Sequence, residues 1–248
     1  MTDFEGFSHQ SPGSVDVYKA YIEKDPYRRG LHYPAVMSEI GEIKGKRILD
    51  AGTGDGQLPR LLAAKGASVV GYDHNSGMIK RARAAEENAK LDVTFVEAKP
   101  QNFHDGNRFD AATSVMVLNY ATDVADLAAF FRCAQRYLAI GGRFVSIALN
   151  PAFSAFDVDF VVRRFTRLEG NRVRIEFLNE QSRDVEQKAA THQYRAEEFD
   201  RAARDGGMRP EGWKKLFACP EAQEMKGEAF WRACHGYQPF AMFIASNG

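Results

Sequence analysis

The run ILDAGTGDG (48–56) sets three glycines and two carboxylates where an apolar stretch gives way to a helical pattern. Gly52, Gly54 and Gly56 suit a strand-to-helix turn at which the backbone must come close to a bound molecule. A dinucleotide site would carry G-x-G-x-x-G, but Gln57 takes the place of the third glycine. Charge narrows the ligand further. A pyrophosphate here would lie beside Asp50 and Asp55, which would repel it even though a helix N-terminus attracts anions. Carboxylates at such a turn suit a ligand with cationic groups and no phosphate, held directly or through water. Asp73, about 20 residues further on at the end of the next apolar run, is placed to accept both hydrogen bonds of a ribose diol. The alternative for Asp73 is a plain cap on the helix that starts near Asn75.

These residues need a parallel sheet to hold them. From Lys46 the chain alternates short β-branched runs with helical patterns, the signature of a sheet with helices on both faces. Strands are expected at 47–51, 67–73, 91–97, 109–115 and 143–149, all apolar enough to be covered on both sides. Residues 1–45 read as an N-terminal lid and a leading helix over 33–43, and 46–150 as the cofactor-binding half of the domain. An inserted β-hairpin cap is expected over 151–194, turning at Glu169-Gly170-Asn171. Residues 195–248 would supply a further helix and the last strands of the same domain.

Lys plus Arg and Asp plus Glu each number 33, so the chain has no basic field to hold a phosphate backbone, and nucleic acid is not the expected partner. Cys133, Cys219 and Cys234 form neither a disulfide framework nor a metal-ligand spacing, which fits a reducing cytoplasm and no bound metal. No stretch approaches the ~20 apolar residues that would span a bilayer. A small-molecule substrate is left as the expected partner, and no feature of the sequence speaks to oligomeric state.

With ILDAGTGDG, VVGYDHNSGMI, FDAATSVMVLNYATD and LAIGGRFV in this order, residues 30–150 resemble the class I S-adenosylmethionine-dependent methyltransferase family. The resemblance implies a Rossmann-like, mostly parallel seven-stranded sheet whose last strand is antiparallel, here with a small inserted cap. It also implies roles. Gly52, Thr53 and Gly54 would line the methionine portion of S-adenosylmethionine, near the carboxylate of Asp50, and Asp73 would hold the ribose. His74 and Met78 would flank the adenine, though Met78 equally suits a helix core. Ser114 and Val115 would offer backbone groups to the ammonium, and Arg28, with Arg29 as alternative, would meet the carboxylate. Where the family commonly has an Asp to accept the adenine amino group, this chain has Ala98 and Lys99; a lysine cannot accept that bond, which leaves backbone groups near Ala98 and the side chain of Asn102.

A narrower resemblance, to the toxoflavin synthase family, rests on an aromatic N-terminus with Phe4 and Phe7, the YPAVMSEIGEIKGKRILD lead-in and an insert ending in THQYRAEEF. It implies methylation of a ring nitrogen in a flat azapteridine-like heterocycle. Phe7, Phe153, Phe156, His192 and Tyr194 would then contact the acceptor. If a base is needed, His192 is the candidate, with His9 and His235 as alternatives. O- or C-methylation of another small metabolite and a non-catalytic cofactor-binding module are the competing readings. The module would show a filled pocket or an exposed apolar patch where an enzyme has an open one.

Overall fold

The computed structural model describes residues 25–160 and 162–248. Phe4, Phe7 and His9, the lid residues of the sequence reading, lie outside the described residues. The chain from Arg28 to His32 is a π-helical turn that runs directly into α1 (Tyr33–Ile40). Then β1 (Arg47–Ala51), α2 (Gln57–Ala64), β2 (Ser68–Asp73), α3 (Ser76–Ala89), β3 (Val93–Glu97), β4 (Phe109–Val115), α4 (Val124–Tyr137) and β5 (Leu138–Leu149) alternate as the apolar runs require. Side-chain caps start two of the helices: Asn75 Oδ1 accepts from Met78 N at 3.0 Å, and Asp123 Oδ1 from Asp126 N at 2.8 Å. The first of these bonds assigns the cap of α3 to Asn75 and leaves Asp73 for other partners.

After the insert come α5 (Ala196–Asp205), β10 (Arg209–Lys215), α6 (Pro220–Tyr237) and β11 (Phe240–Ser246). The seven-stranded sheet has the order β10-β11-β5-β4-β1-β2-β3, and β11 runs antiparallel to both of its neighbours. This is the Rossmann-like methyltransferase architecture expected from the resemblance. Alternation along the strands divides the core in two. Ile48, Val69, Val145 and Ile244 face one layer with α1, α2, α6 and the insert, while Leu49, Val70, Phe144 and Phe243 face the other with α4 and α5.

The insert holds more than the expected hairpin. The hairpin itself, β7 (Arg163–Arg167) and β8 (Arg172–Leu178), turns where expected, with Gly170 at φ +66°. Flanking it are the short β6 (Asp159–Phe160) and β9 (Val185–His192), which complete a four-stranded antiparallel sheet in the order β6-β7-β8-β9. Its inner face is apolar: Phe165, Val173, Ile175 and Ala189 are buried in the same core cluster as Val36, Leu62 and Trp231. The cap is therefore packed onto the sheet layer rather than hung from it. Among the described residues no helix is long and apolar enough to cross a membrane.

Candidate functional site

The ends of β1, β2 and β4 lie at one edge of the sheet, the edge at which open parallel sheets bind ligands. Between β1 and α2 the turn is locked to β2, because Gly52 N and Thr53 N both donate to Tyr72 O, at 2.8 and 2.9 Å. Gly52 (φ +74°) has no room for a side chain: a Cβ would stand 2.4 Å from Val117 Cγ1. Gly54 (φ +56°) differs, since a Cβ there would meet nothing within 4 Å. Its left-handed backbone stands beside open space. Asp73 borders it, with Oδ2 accepting from Gly54 N and Oδ1 from Asn75 N, each at 2.9 Å. Two backbone donors thus fix both carboxylate oxygens while lone pairs remain for a ligand.

Most of the other cofactor-side candidates lie at or shortly past the ends of β1, β2, β3 and β4. Asp50 is buried and accepts from Thr113 Oγ1 at 2.6 Å; burial raises its carboxyl from the ordinary 3.8 to about 6, and the hydroxyls of Thr113 and Thr53 pull the other way. His74 is largely exposed, its Nδ1 3.6 Å from Asp73 Oδ1. Met78 is 4% exposed in the first turn of α3. Ala98 N donates to Asp73 O at 2.9 Å, so its amide is already engaged, and the side chains of Lys99 and Asn102 are exposed. Ser114 Oγ donates to Ala51 O at 2.9 Å and is buried, which ties β4 to β1 and leaves only backbone to offer. Val115 is half-buried, and Met116, next along, sits at φ +57°, in the strained region that collects at ligand sites.

A cleft opens beside that turn, between the π-helical segment, the cap and the start of β11. Asp25, Arg28, His32, Met116, Arg163 and Phe177 are among its lining residues, around a cavity of about 40 Å³ that opens to solvent. A π-helical turn is uncommon and is found often at functional sites. Here it carries Arg28 inward, against Tyr33 Oη at 3.4 Å and Asp25 at 3.9 Å, and leaves Arg29 exposed. A long charged side chain such as that of Arg163 is exposed by default. Arg163 is instead 4% exposed, donating to Asp25 Oδ2 at 2.8 Å with its guanidinium over the Phe177 ring. Burial raises the Asp25 carboxyl to about 6, against the pull of Arg28 and the Tyr27 amide.

His32 is the histidine of this cleft, and the sequence reading passed over it. It is 2% exposed, and among the described residues neither ring nitrogen has a hydrogen-bond partner. Burial, followed by the nearby Arg28 charge, lowers its pKa from 6.5 to about 3, so the ring is neutral at physiological pH. His192 stands elsewhere. Register pairs it with Arg172, on the face of the cap sheet shared by the Arg174–Ala190 and Glu176–Lys188 pairs. The cleft-lining Ile175 and Phe177 point from the opposite face.

The remaining acceptor candidates serve packing. Phe153 is buried within 5.0–5.6 Å of the Phe156, Phe160 and Phe165 rings, and Phe156 is half-buried under the Arg167 guanidinium at 4.2 Å. Tyr194 is buried, with its hydroxyl donating to Ala121 O at 2.5 Å and its ring against Phe199. These rings face the cap interior or the far layer of the sheet. The apolar wall of the cleft is built from Ile175, Phe177 and Phe240.

The open space beside Gly54, the doubly held Asp73 and the buried acid Asp50 suit a ligand that carries a diol and cationic groups and lacks phosphate. S-adenosylmethionine fits that description. Comparison with known proteins agrees. Residues 48–142 match the family described as a methyltransferase domain. Over 131 residues the chain is 31% identical to a ubiquinone biosynthesis O-methyltransferase of Azorhizobium caulinodans, covering 52% of this chain and 51% of that protein. The chain thus spans about half the length of the curated relative it matches. Among solved structures, an S-adenosylmethionine-dependent methyltransferase of Clostridium acetobutylicum superposes with a TM-score of 0.65 at 16% identity, covering 94% of this chain and 97% of that one. The sugar N-methyltransferase KedS8 of a Streptoalloteichus species gives 0.63 at 19%, covering 99% and 95%. Residues 48–142 accordingly resemble a methyltransferase domain, within a chain that has the fold of S-adenosylmethionine-dependent methyltransferases.

Proposed function

We propose that the chain transfers a methyl group from S-adenosylmethionine to a small, flat, polar acceptor bound between the π-helical segment and the cap. The observation that carries this reading is the open space beside Gly54 together with an Asp73 carboxylate held by two backbone amides. In this reading residues 46–150 hold the cofactor, 151–194 cover the acceptor, and 195–248 complete the sheet. The cofactor supplies a methyl carbon already activated by a sulfonium, so the protein has to align a nucleophile ~3 Å away and keep water out. Asp73 accepts the ribose hydroxyls, Arg28 pairs with the amino-acid carboxylate, and Asp50 provides negative charge near the ammonium. Met78 and His74 border the adenine, whose amino group is left to backbone and to Asn102.

On the acceptor side, the polar lining of Asp25, His32 and Arg163 beside the rings of Phe177 and Phe240 suits a heterocycle rich in ring nitrogens. A ring nitrogen with an available lone pair needs alignment more than a base. This supports the azapteridine-type N-methylation suggested by the narrower resemblance. The second reading is O-methylation of a phenol, which the names of the curated relatives favour; a phenol would need its proton removed near neutral pH. Calorimetric titration with S-adenosylhomocysteine, with NADH as control, tests the cofactor. Mass-spectrometric assay on a demethylated pyrimidotriazine and on a catechol then separates the two acceptors. Gain of one methyl on the first supports N-methylation, gain on the second only supports the alternative, and NADH binding in place of S-adenosylhomocysteine overturns both.

A further inference from the structure

Two guanidiniums and one carboxylate line the cleft. Asp25 and Arg163 neutralise each other at 2.8 Å, both 4% exposed. Arg28, the other guanidinium of the lining, lies against Tyr33 Oη at 3.4 Å and Asp25 at 3.9 Å, and in the reading above it pairs with the cofactor's carboxylate. What remains is His32, a neutral imidazole with one donor and one acceptor nitrogen. Its ring lies edge-on to Phe240 at 4.8 Å, and neither nitrogen is matched among the described residues. Buried polar groups in folded proteins are nearly always paired, and one left unpaired in a cleft points to a ligand or an ordered water. With Arg28 on the cofactor's carboxylate, an anionic acceptor would lose its hydration without a free counter-charge, and a cationic one would face the sulfonium. An uncharged ring that can hydrogen-bond at its edge meets neither obstacle.

We propose that His32 is the acceptor-orienting residue of this site, and that its imidazole selects an uncharged heterocycle with a hydrogen-bonding edge of the lactam or amidine kind. The inference rests on the methyltransferase reading above and gives the acceptor its chemical class. Phe177 and Phe240 supply apolar contact for the ring, and Arg163, fixed by Asp25, keeps the cap side of the cleft in place. His32 sets orientation, and no proton transfer is assigned to it.

The test uses the full chain saturated with S-adenosylhomocysteine, titrated with lumazine, an uncharged pteridinedione, and in parallel with naphthalene, a ring of similar size without polar edges. Wild type is expected to bind lumazine at least tenfold more tightly than naphthalene. His32→Phe should lose that preference while binding S-adenosylhomocysteine as wild type does. His32→Gln, which keeps a donor and an acceptor on a flexible stem, should recover part of it. Equal lumazine affinity in wild type and His32→Phe overturns the proposal, as does a wild type that binds S-adenosylhomocysteine but shows no preference for lumazine. Failure of wild type to bind S-adenosylhomocysteine would instead sink the cofactor reading on which the proposal stands. A His32→Phe chain that does not fold moves the decision to His32→Gln, which must retain a lumazine preference.

Discussion

Asp25 and Arg163 meet at 2.8 Å across 138 positions of sequence, and through this one buried ion pair the segment before the first helix is fastened to the cap. Removing one partner of a buried pair leaves the other as an uncompensated charge, at a cost of about 3–5 kcal/mol. Arg163→Met should therefore lower stability by about that amount. Arg163→Met with Asp25→Asn should recover much of it. Urea denaturation of both single variants and the double variant completes the cycle, and additive losses would show that the two side chains are not coupled.

Gly52 and Gly54 separate folding from binding. Gly52→Ala forces a Cβ to within 2.4 Å of Val117 and should destabilise the fold. Gly54→Ala carries only the left-handed strain, about 1–2 kcal/mol, and puts a methyl into the open space beside it. It should keep a native circular dichroism spectrum while S-adenosylhomocysteine affinity falls at least tenfold by calorimetry. Affinity unchanged in Gly54→Ala would place the cofactor elsewhere.

Asp73→Ala removes charge-assisted hydrogen bonds to a diol and also releases the amides of Gly54 and Asn75. Bonds of this type contribute about 1.5–3 kcal/mol each, so the dissociation constant for S-adenosylhomocysteine should rise roughly 10- to 100-fold or more. Asp73→Asn should fall between the variant and wild type, because its amide still has one oxygen that accepts.

Stability at Asp50 should depend on pH in a defined direction. With its carboxyl raised from 3.8 to about 6, the folded chain keeps a proton that the unfolded chain releases between those values. Its favourable contribution is thus complete below pH 3.8 and is lost as pH rises through about 6. Asp50→Asn should gain on wild type by roughly 1–3 kcal/mol more at pH 8 than at pH 4, and it should bind S-adenosylhomocysteine more weakly. Melting temperatures at the two pH values check the sign.

His32 runs the other way. Its folded pKa, lowered from 6.5 to about 3, makes the unfolded chain the better proton binder, so wild type loses stability as pH falls from 6.5 toward 3. His32→Phe has no such group. Its melting temperature should fall less than that of wild type between pH 7 and pH 5, and a parallel fall would mean that His32 is already protonated or solvated in the folded chain.

Local pattern made the sheet legible and left the cleft hidden. RILDA and FDAATSV are β1 and β4 to the residue because both faces of a central strand are covered, so their apolar runs have sharp ends. β9, VEQKAATH, went unread because it is the edge strand of the cap, polar and exposed over its first half. α6 went unread because Gly227, at φ +72°, breaks its period. The turn residues and Asp73 lie close in sequence to the strands that position them, so spacing carried their placement. His32 carries no such signal. Its neighbours come from the leading segment, β4, the cap and β11, and only the packed chain shows that its nitrogens are unmatched. Arg163 is hidden for the same reason, since a long charged side chain is exposed by default and its buried partner lies in a distant segment.

The two ends of the cap are stitched to each other. Gln193 Nε2, just past β9, donates to both Asn150 O and Phe153 O at 2.8 Å, and Asn119 binds the backbone at both Leu149 and His192. The insertion thus leaves and rejoins the main chain at nearly one point, the geometry that lets one module be exchanged for another without disturbing its host. Exchanging the residues between these joints would remake the cap wall of the cleft, Arg163, Ile175 and Phe177, and leave β1, β2 and β4 as they are.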